Sequence, residues 1–135
     1  ILLSNGLIKA LEFEAAQLIK SGKYTIDFSV TGNPVFLDAN TELVLFRIAQ
    51  EALNNIIKHA GASAIDILLH YDNCLLTMII KDDGKGFDIK KVKSMNTLSG
   101  NGVRNMEMRS KEMKGSCRIE SGEAGTTILL TFPIP

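Results

Sequence analysis

Leu75-Leu76-Thr77-Met78-Ile79-Ile80-Lys81-Asp82-Asp83-Gly84-Lys85-Gly86-Phe87 is an apolar, β-type run that ends in an acid, with glycines two and four positions beyond it. A strand of this kind delivers a carboxylate to the mouth of a sheet. The glycines then let the chain turn away without side chains over the approach. From that place Asp82 can accept a hydrogen bond from an amine such as an adenine amino group, while Gly84 and Gly86 allow a flat ring near the backbone. The same letters also describe an ordinary turn. The segments on either side decide between the two.

Upstream, Asp72-Asn73 reads as a hairpin turn from an earlier strand at 64–71 to one at 74–82. Before that strand, a long helical pattern runs from about Thr41 to Ala60, with Asn40 or Thr41 as its cap. Tyr24, Ile26, Phe28 and Val30 alternate with polar residues in a strand closed by Gly32-Asn33-Pro34. Leu3, Leu7, Ala10, Leu11, Ala15 and Leu18 share one face of a first helix over 3 to 20, ended by Gly22.

Downstream, residues 87–99 lack periodicity and read as a mobile loop. A third helix starts near Gly102, buries Val103, Met106 and Met113, and stops at Gly115. Strands near 116–121 and 126–132 follow, the second turning Ile128, Leu130 and Phe132 to one side. The order α-β-α-β-β-α-β-β predicts an α+β, two-layer sandwich, with three helices on one face of a mixed, largely antiparallel sheet. A doubly wound sheet does not fit it.

The chain of 135 residues suits one domain, 1–135, with an ordinary globular composition of 45% hydrophobic and 22% charged residues. Fifteen acids balance fifteen bases, so neither nucleic acid nor an anionic membrane is an expected partner. Cys74 and Cys117 lack metal-ligand spacing and read as reduced core thiols. No apolar run approaches the roughly 20 residues of a membrane span. The chain opens on Ile1, so we expect a part of a longer protein, with room for membrane segments outside it.

In the long helix, Glu51, Asn54, Asn55 and Lys58 fall at i, i+3, i+4 and i+7 within an otherwise apolar stretch. Such a stripe can simply face solvent. Adjacent asparagines are poor interior helix formers, however. An acid, an amide oxygen and an ammonium within two turns also match the base, metal ligand and phosphate counter-charge that a magnesium nucleotide needs. Ser99-Gly100-Asn101-Gly102-Val103 opens the third helix, where free backbone N–H groups favour phosphate. Asn105 excludes the Rossmann G-x-G-x-x-G. Gly122-Glu123-Ala124-Gly125-Thr126 reads as a hairpin turn, with the Thr126 hydroxyl in reach of a bound phosphate.

In this order the segments resemble the ATP-binding catalytic domain of bacterial two-component sensor histidine kinases, within the GHKL superfamily shared with gyrase B and MutL, the Bergerat fold. R-I-A-Q-E-A-L-N-N-I-I-K-H-A (47–60) resembles the N box, D-D-G-K-G-F (82–87) the G1 box, and G-N-G-V-R-N-M-E-M-R (100–109) the G2 box. The Q-E-A-L-x-N form followed by K-H-A is most similar to the subfamily paired with helix-turn-helix response regulators.

The resemblance implies ATP and Mg²⁺ as ligands. It assigns Glu51 as general base or orienting acid, Asn55 as the Mg²⁺ ligand and Lys58 as a phosphate contact, with His59 lining the pocket. It gives Asp82 the adenine amino group and Gly84 and Gly86 the base pocket. Gly100 and Gly102 become the phosphate-side hinge of a lid, Val103 joins the nucleotide-binding residues, and Thr126 lies near the adenine. Val103 replaces the usual Leu, Asn105 a Gly, and Glu107-Met108-Arg109 the usual R-E-R, departures that bear on the lid more than on nucleotide binding.

The implied activity is transfer of the ATP γ-phosphoryl group to a histidine on a separate dimerisation domain of the same protein, and from there to a response regulator. Neither His59 nor His70 sits in a phosphoacceptor motif. The expected setting is the bacterial cytoplasm, with a homodimeric parent and a monomeric fragment. Two alternatives are a degenerate ATP-binding module and an anti-sigma-type serine kinase.

Overall fold

A computed structural model of the chain describes residues 2–84 and 98–134. The elements are α1 (Leu2–Lys20), β1 (Thr25–Gly32), α2 (Ala39–Asn55), a π-turn (Ile56–Ala60), β2 (Ala64–Tyr71), β3 (Leu75–Asp82), α3 (Leu98–Glu112), β4 (Ser116–Gly122) and β5 (Gly125–Pro133). The strands form one sheet in the order β1-β2-β3-β5-β4. β1 runs parallel to β2 because α2 carries the chain back across the sheet between them; every other pair is antiparallel.

The expected layering holds. One row of sheet side chains, including Ile65, Ile67, Leu69, Leu76, Met78, Ile80, Ile128, Leu130 and Phe132, is buried in a single core with Leu7, Leu11, Leu45, Ile48, Leu53 and Met106 from the three helices. In β1, Ile26, Phe28 and Val30 are only half-buried, because β1 is an edge strand with one neighbour. Cys74 is exposed in the β2–β3 turn and Cys117 half-buried, so Cys74 is not the core thiol expected of it.

Long-range contacts shift the helix ends. Asp38, not Asn40 or Thr41, caps α2: Thr41 N–H donates to its Oδ2 at 3.1 Å and the Thr41 hydroxyl to Oδ1 at 2.5 Å. An acid here also meets the positive end of the helix dipole. Glu42, buried in the first turn, accepts from Leu7 N–H and from Leu37 N–H, each at 3.0 Å. That pulls the start of α1 onto α2, and α1 breaks at Gly6 (φ 79°), where a side chain would crowd the Phe36 ring and the Glu42 carboxylate.

α3 begins at Leu98, ahead of the expected Gly102, and residues 85–97, which hold most of the predicted loop, lie outside the described residues. At its other end the left-handed residue is Lys114 (φ 60°), not Gly115. Gly115 N–H donates to the Ser110 carbonyl at 2.8 Å, and a Cβ on Gly115 would strike the Thr131 carbonyl and the Phe132 ring. Glycine is required there for space rather than for torsion angle.

Candidate functional site

Asp82 is the last residue of β3, opposite Ile65 of β2 and in the inward row with Leu76, Met78 and Ile80. It is 2% exposed. Gly84 N–H donates to Oδ1 at 2.7 Å, while Oδ2 is buried with no hydrogen-bond partner among the described residues. Burial pushes the carboxyl above its usual range and the Asp83 charge adds to this, against the opposing pull of the Gly84 and Thr126 N–H groups. A buried carboxylate with an unused acceptor is costly unless something donates to it. The site is shaped for an amine or amide donor.

β5 closes in beside it. A Cβ on Gly125 (φ 125°) would run into the Asp82 carbonyl, so only glycine lets the strands meet there. Thr126 is buried next along β5, and its hydroxyl shares a hydrogen bond with the Ser121 hydroxyl at 2.7 Å. Gly84 is buried as well. The structure thus brings Asp82, Gly84 and Thr126 together; Gly86 lies outside the described residues.

The α2 stripe divides by burial. At 3.6 residues per turn, Asn55 stands over Ile48 and Ala52 at the flank of the apolar face. It is 5% exposed, with Nδ2 unpartnered among the described residues. Glu51, one step round, is half-buried, and Asn54, one step further, is exposed. Glu51, Asn54 and Asn55 keep to one side of α2, with Asn55 at the buried edge of the stripe and Asn54 at the exposed edge.

The helix also changes winding directly after Asn55. The π-turn Ile56–Ala60, which carries the exposed Lys58, ends at Gly61 in the left-handed region (φ 60°). α2 packs against β3 and the π-turn against β5, so Asn55 and Asp82 belong to adjoining elements. The His59 side chain lies outside what is described.

Gly100 and Gly102 fall inside the first turns of α3, not ahead of it. Only the first four N–H groups of a helix lack intrahelical partners. Gly100 keeps such a group, and Gly102 does not. The side chain of Val103 is outside what is described.

Two residues escaped the sequence reading. Asp83 binds Ser63 and Ala64, far behind it in the chain, and Gly125 was taken for a plain turn residue. Neither has a local spacing that would reveal its role. An apolar pocket of about 170 Å³ lined by Leu7, Ile8, Val35, Phe36 and Tyr71 shares no residue with these elements' site.

No cluster of His, Cys, Asp and Glu suited to a metal exists among the described residues. Mg²⁺ commonly takes only one or two protein oxygens and completes its shell with water and phosphate. The buried Asn55 amide, its Nδ2 without a partner among the described residues, fits that use, since an end-for-end rotation presents its oxygen.

A family model described as histidine kinase-, DNA gyrase B-, and HSP90-like ATPase matches residues 40–135. The chain belongs to that family of ATPases. Its curated relatives include the sensor histidine kinase MctS of Rhizobium johnstonii, 38% identical over 128 residues, covering 95% of this chain and 28% of MctS. The sensor histidine kinase LnrJ of Bacillus subtilis is 33% identical over 129 residues, covering 95% of this chain and 30% of LnrJ.

The chain therefore spans under a third of the length of these relatives. The histidine kinase domain from the Erythrobacter litoralis EL346 blue-light activated histidine kinase shares the fold, with a TM-score of 0.75 at 20% identity over 94% of this chain and 64% of that one. Within the ATPase family, the chain is the kind of ATP-binding domain that sensor histidine kinases carry.

Proposed function

We propose that this domain binds ATP·Mg and donates the γ-phosphoryl group to a histidine on a separate dimerisation domain of a longer, homodimeric protein, which then passes it to a response regulator. The observation that carries the reading is the buried Asp82 carboxylate, one oxygen held by Gly84 and the other without a partner among the described residues. An adenine amino group is a donor for that oxygen, and the family match makes ATP its natural source.

In this reading Asn55 holds the metal through its amide oxygen, and Mg²⁺, when bound, neutralises phosphate charge. Lys58, exposed within the π-turn, reaches phosphate oxygens, and His59 lines the pocket. Glu51, half-buried one turn before Asn55, orients the attacking imidazole or takes its proton. Gly84 and Gly86 shape the base pocket, Thr126 supports Asp82, Gly100 and Gly102 form the hinge of a lid, and Val103 belongs to the nucleotide-binding residues. The protein's part is positioning and charge neutralisation. We place the domain in the bacterial cytoplasm. Among the described residues no helix is long and apolar enough to cross a membrane.

The test mixes the chain with γ-labelled ATP, alone and with its parent's dimerisation domain. Acid-labile label on the added domain, with none on a monomeric chain, is the expected result. Acid-stable label on an added protein would favour the serine-kinase alternative. ATP binding without any transfer would favour a regulatory module.

A further inference from the structure

We propose that Asp83 is a positioning residue for nucleotide recognition, whose carboxylate fastens the Asp82–Gly84 turn to Ser63 and Ala64 at the start of β2. This rests on the reading of Asp82 as the adenine contact.

Asp83 Oδ1 accepts from the N–H groups of both Ser63 and Ala64 at 2.9 Å, and Oδ2 accepts from the Ser63 hydroxyl at 3.2 Å. The Asp83 N–H donates in turn to the Ala64 carbonyl at 3.2 Å. The side chain is exposed, so it has no core to fill, and yet both of its oxygens are committed to this one corner. The Ala64 and Ser63 N–H groups hold the carboxyl below its usual range, as such bonds to the charged form require.

The same corner is fixed from two other sides. The Ser63 carbonyl accepts from Thr25 N–H at 2.8 Å, tying in β1. Gly125 presses on the opposite flank, where a Cβ would reach the Asp82 carbonyl and come within 3.3 Å of the Asp83 Cα. The peptide joining Asp82 to Asp83 is therefore gripped between β2 and β5.

Two consequences bear on recognition. Gly84, whose N–H orients the Asp82 carboxylate, follows Asp83 directly, so freeing Asp83 frees the direction in which Oδ2 points. Ser63 also lies just beyond the π-turn and Gly61, on the chain leaving Asn55 and Lys58. Asp83 thus sets the adenine-side acid and the metal-side amide in one frame. A charge-assisted bond to backbone N–H groups is strong enough to do so.

The experiment measures ATP and GTP affinities of the chain calorimetrically, for the wild type and for Asp82→Asn, Asp83→Ala, Asp83→Asn and Asp83→Glu. Asp83→Ala is expected to weaken ATP roughly tenfold, the scale of one charge-assisted hydrogen bond, and to narrow the preference for ATP over GTP. Asp83→Asn keeps the Oδ1 acceptor and should recover most of both. Asp83→Glu keeps the charge but displaces it by a methylene, so its preference should narrow as well; it carries the test if Asp83→Ala does not fold.

Wild-type preference in folded Asp83→Ala or Asp83→Glu overturns the proposal. So does Asp83→Asn behaving no better than Asp83→Ala. If Asp82→Asn itself binds ATP normally, the adenine reading falls, and the positioning role with it. If Asp82→Asn is weakened while Asp83→Ala is not, only the positioning role falls.

Discussion

Gly84 N–H holds Asp82 Oδ1 at 2.7 Å, which leaves Oδ2 of the same buried carboxylate without a hydrogen-bond partner among the described residues. One carboxylate therefore has one structural end and one free end. Replacing Asp82 with Asn puts an amide where both neighbours need an acceptor, so either Gly84 or the incoming amine meets an N–H group. Calorimetry of Asp82→Asn should show ATP affinity down by about tenfold to a hundredfold, as expected for a lost hydrogen bond to a charged group, with the circular dichroism of a folded domain.

The raised pKa of Asp82 gives a pH signature. Because the folded carboxyl loses its proton at higher pH than the unfolded one, the unfolded state binds fewer protons between those two values. Asp82 thus lowers the stability of the ligand-free domain as pH rises through that window. ATP needs the ionised form, so affinity should rise over the same window. Asp38 and Asp83, held below their usual range, act oppositely and lose their stabilisation as pH falls. Denaturant titrations of wild type against Asp82→Asn across acidic pH isolate the Asp82 contribution. A gap between them that does not change with pH would refute it.

Binding and chemistry should separate on α2. Glu51→Gln keeps size and hydrogen bonding, so ATP should bind normally while transfer to an added histidine domain falls. Asn55→Ala should weaken ATP mainly when Mg²⁺ is present, read by titrations with the metal and with a chelator. Normal transfer by Glu51→Gln, or a metal-independent loss in Asn55→Ala, would make these residues structural.

The succession of helices and strands and the Asp82–Gly84 turn were legible because they rest on short spacings: period-two alternation, and an acid followed two residues on by glycine. The rest depends on pairs far apart in sequence. Asp38, Asn40 and Thr41 are all good caps, and only the tertiary pull of Glu42 on Leu7 and Leu37 fixes the frame in which Asp38 wins. The π-turn after Asn55 follows apolar residues that read equally well as α-helix. Gly100 and Gly102 were expected at the opening of the third helix, yet α3 starts at Leu98 and runs through them.

Glu42 is a stability determinant remote from the site. Glu42→Ala leaves the Leu7 and Leu37 N–H groups without their acceptor, a loss of roughly 2–6 kcal/mol from two groups at about 1–3 kcal/mol each where buried. Urea unfolding should show that loss, while ATP affinity at a temperature where the variant is folded stays normal.

The end of α3 offers the sharpest test of the packing, because two neighbouring residues divide the usual work of one glycine. Lys114 holds the left-handed torsion (φ 60°), a conformation that disfavours a Cβ by about 1–2 kcal/mol. Gly115 instead supplies the space for the Thr131 carbonyl and the Phe132 ring. Lys114→Gly should therefore stabilise the domain, by about 0.5–1 kcal/mol after glycine's greater unfolded-state entropy is set against the relieved strain. Gly115→Ala should destabilise it, because β5 backbone cannot retreat without disturbing its pairing with β3 and β4. Chemical denaturation of both variants reads the two signs directly. If Lys114→Gly destabilises or Gly115→Ala is neutral, the helix ends differently from the geometry given above.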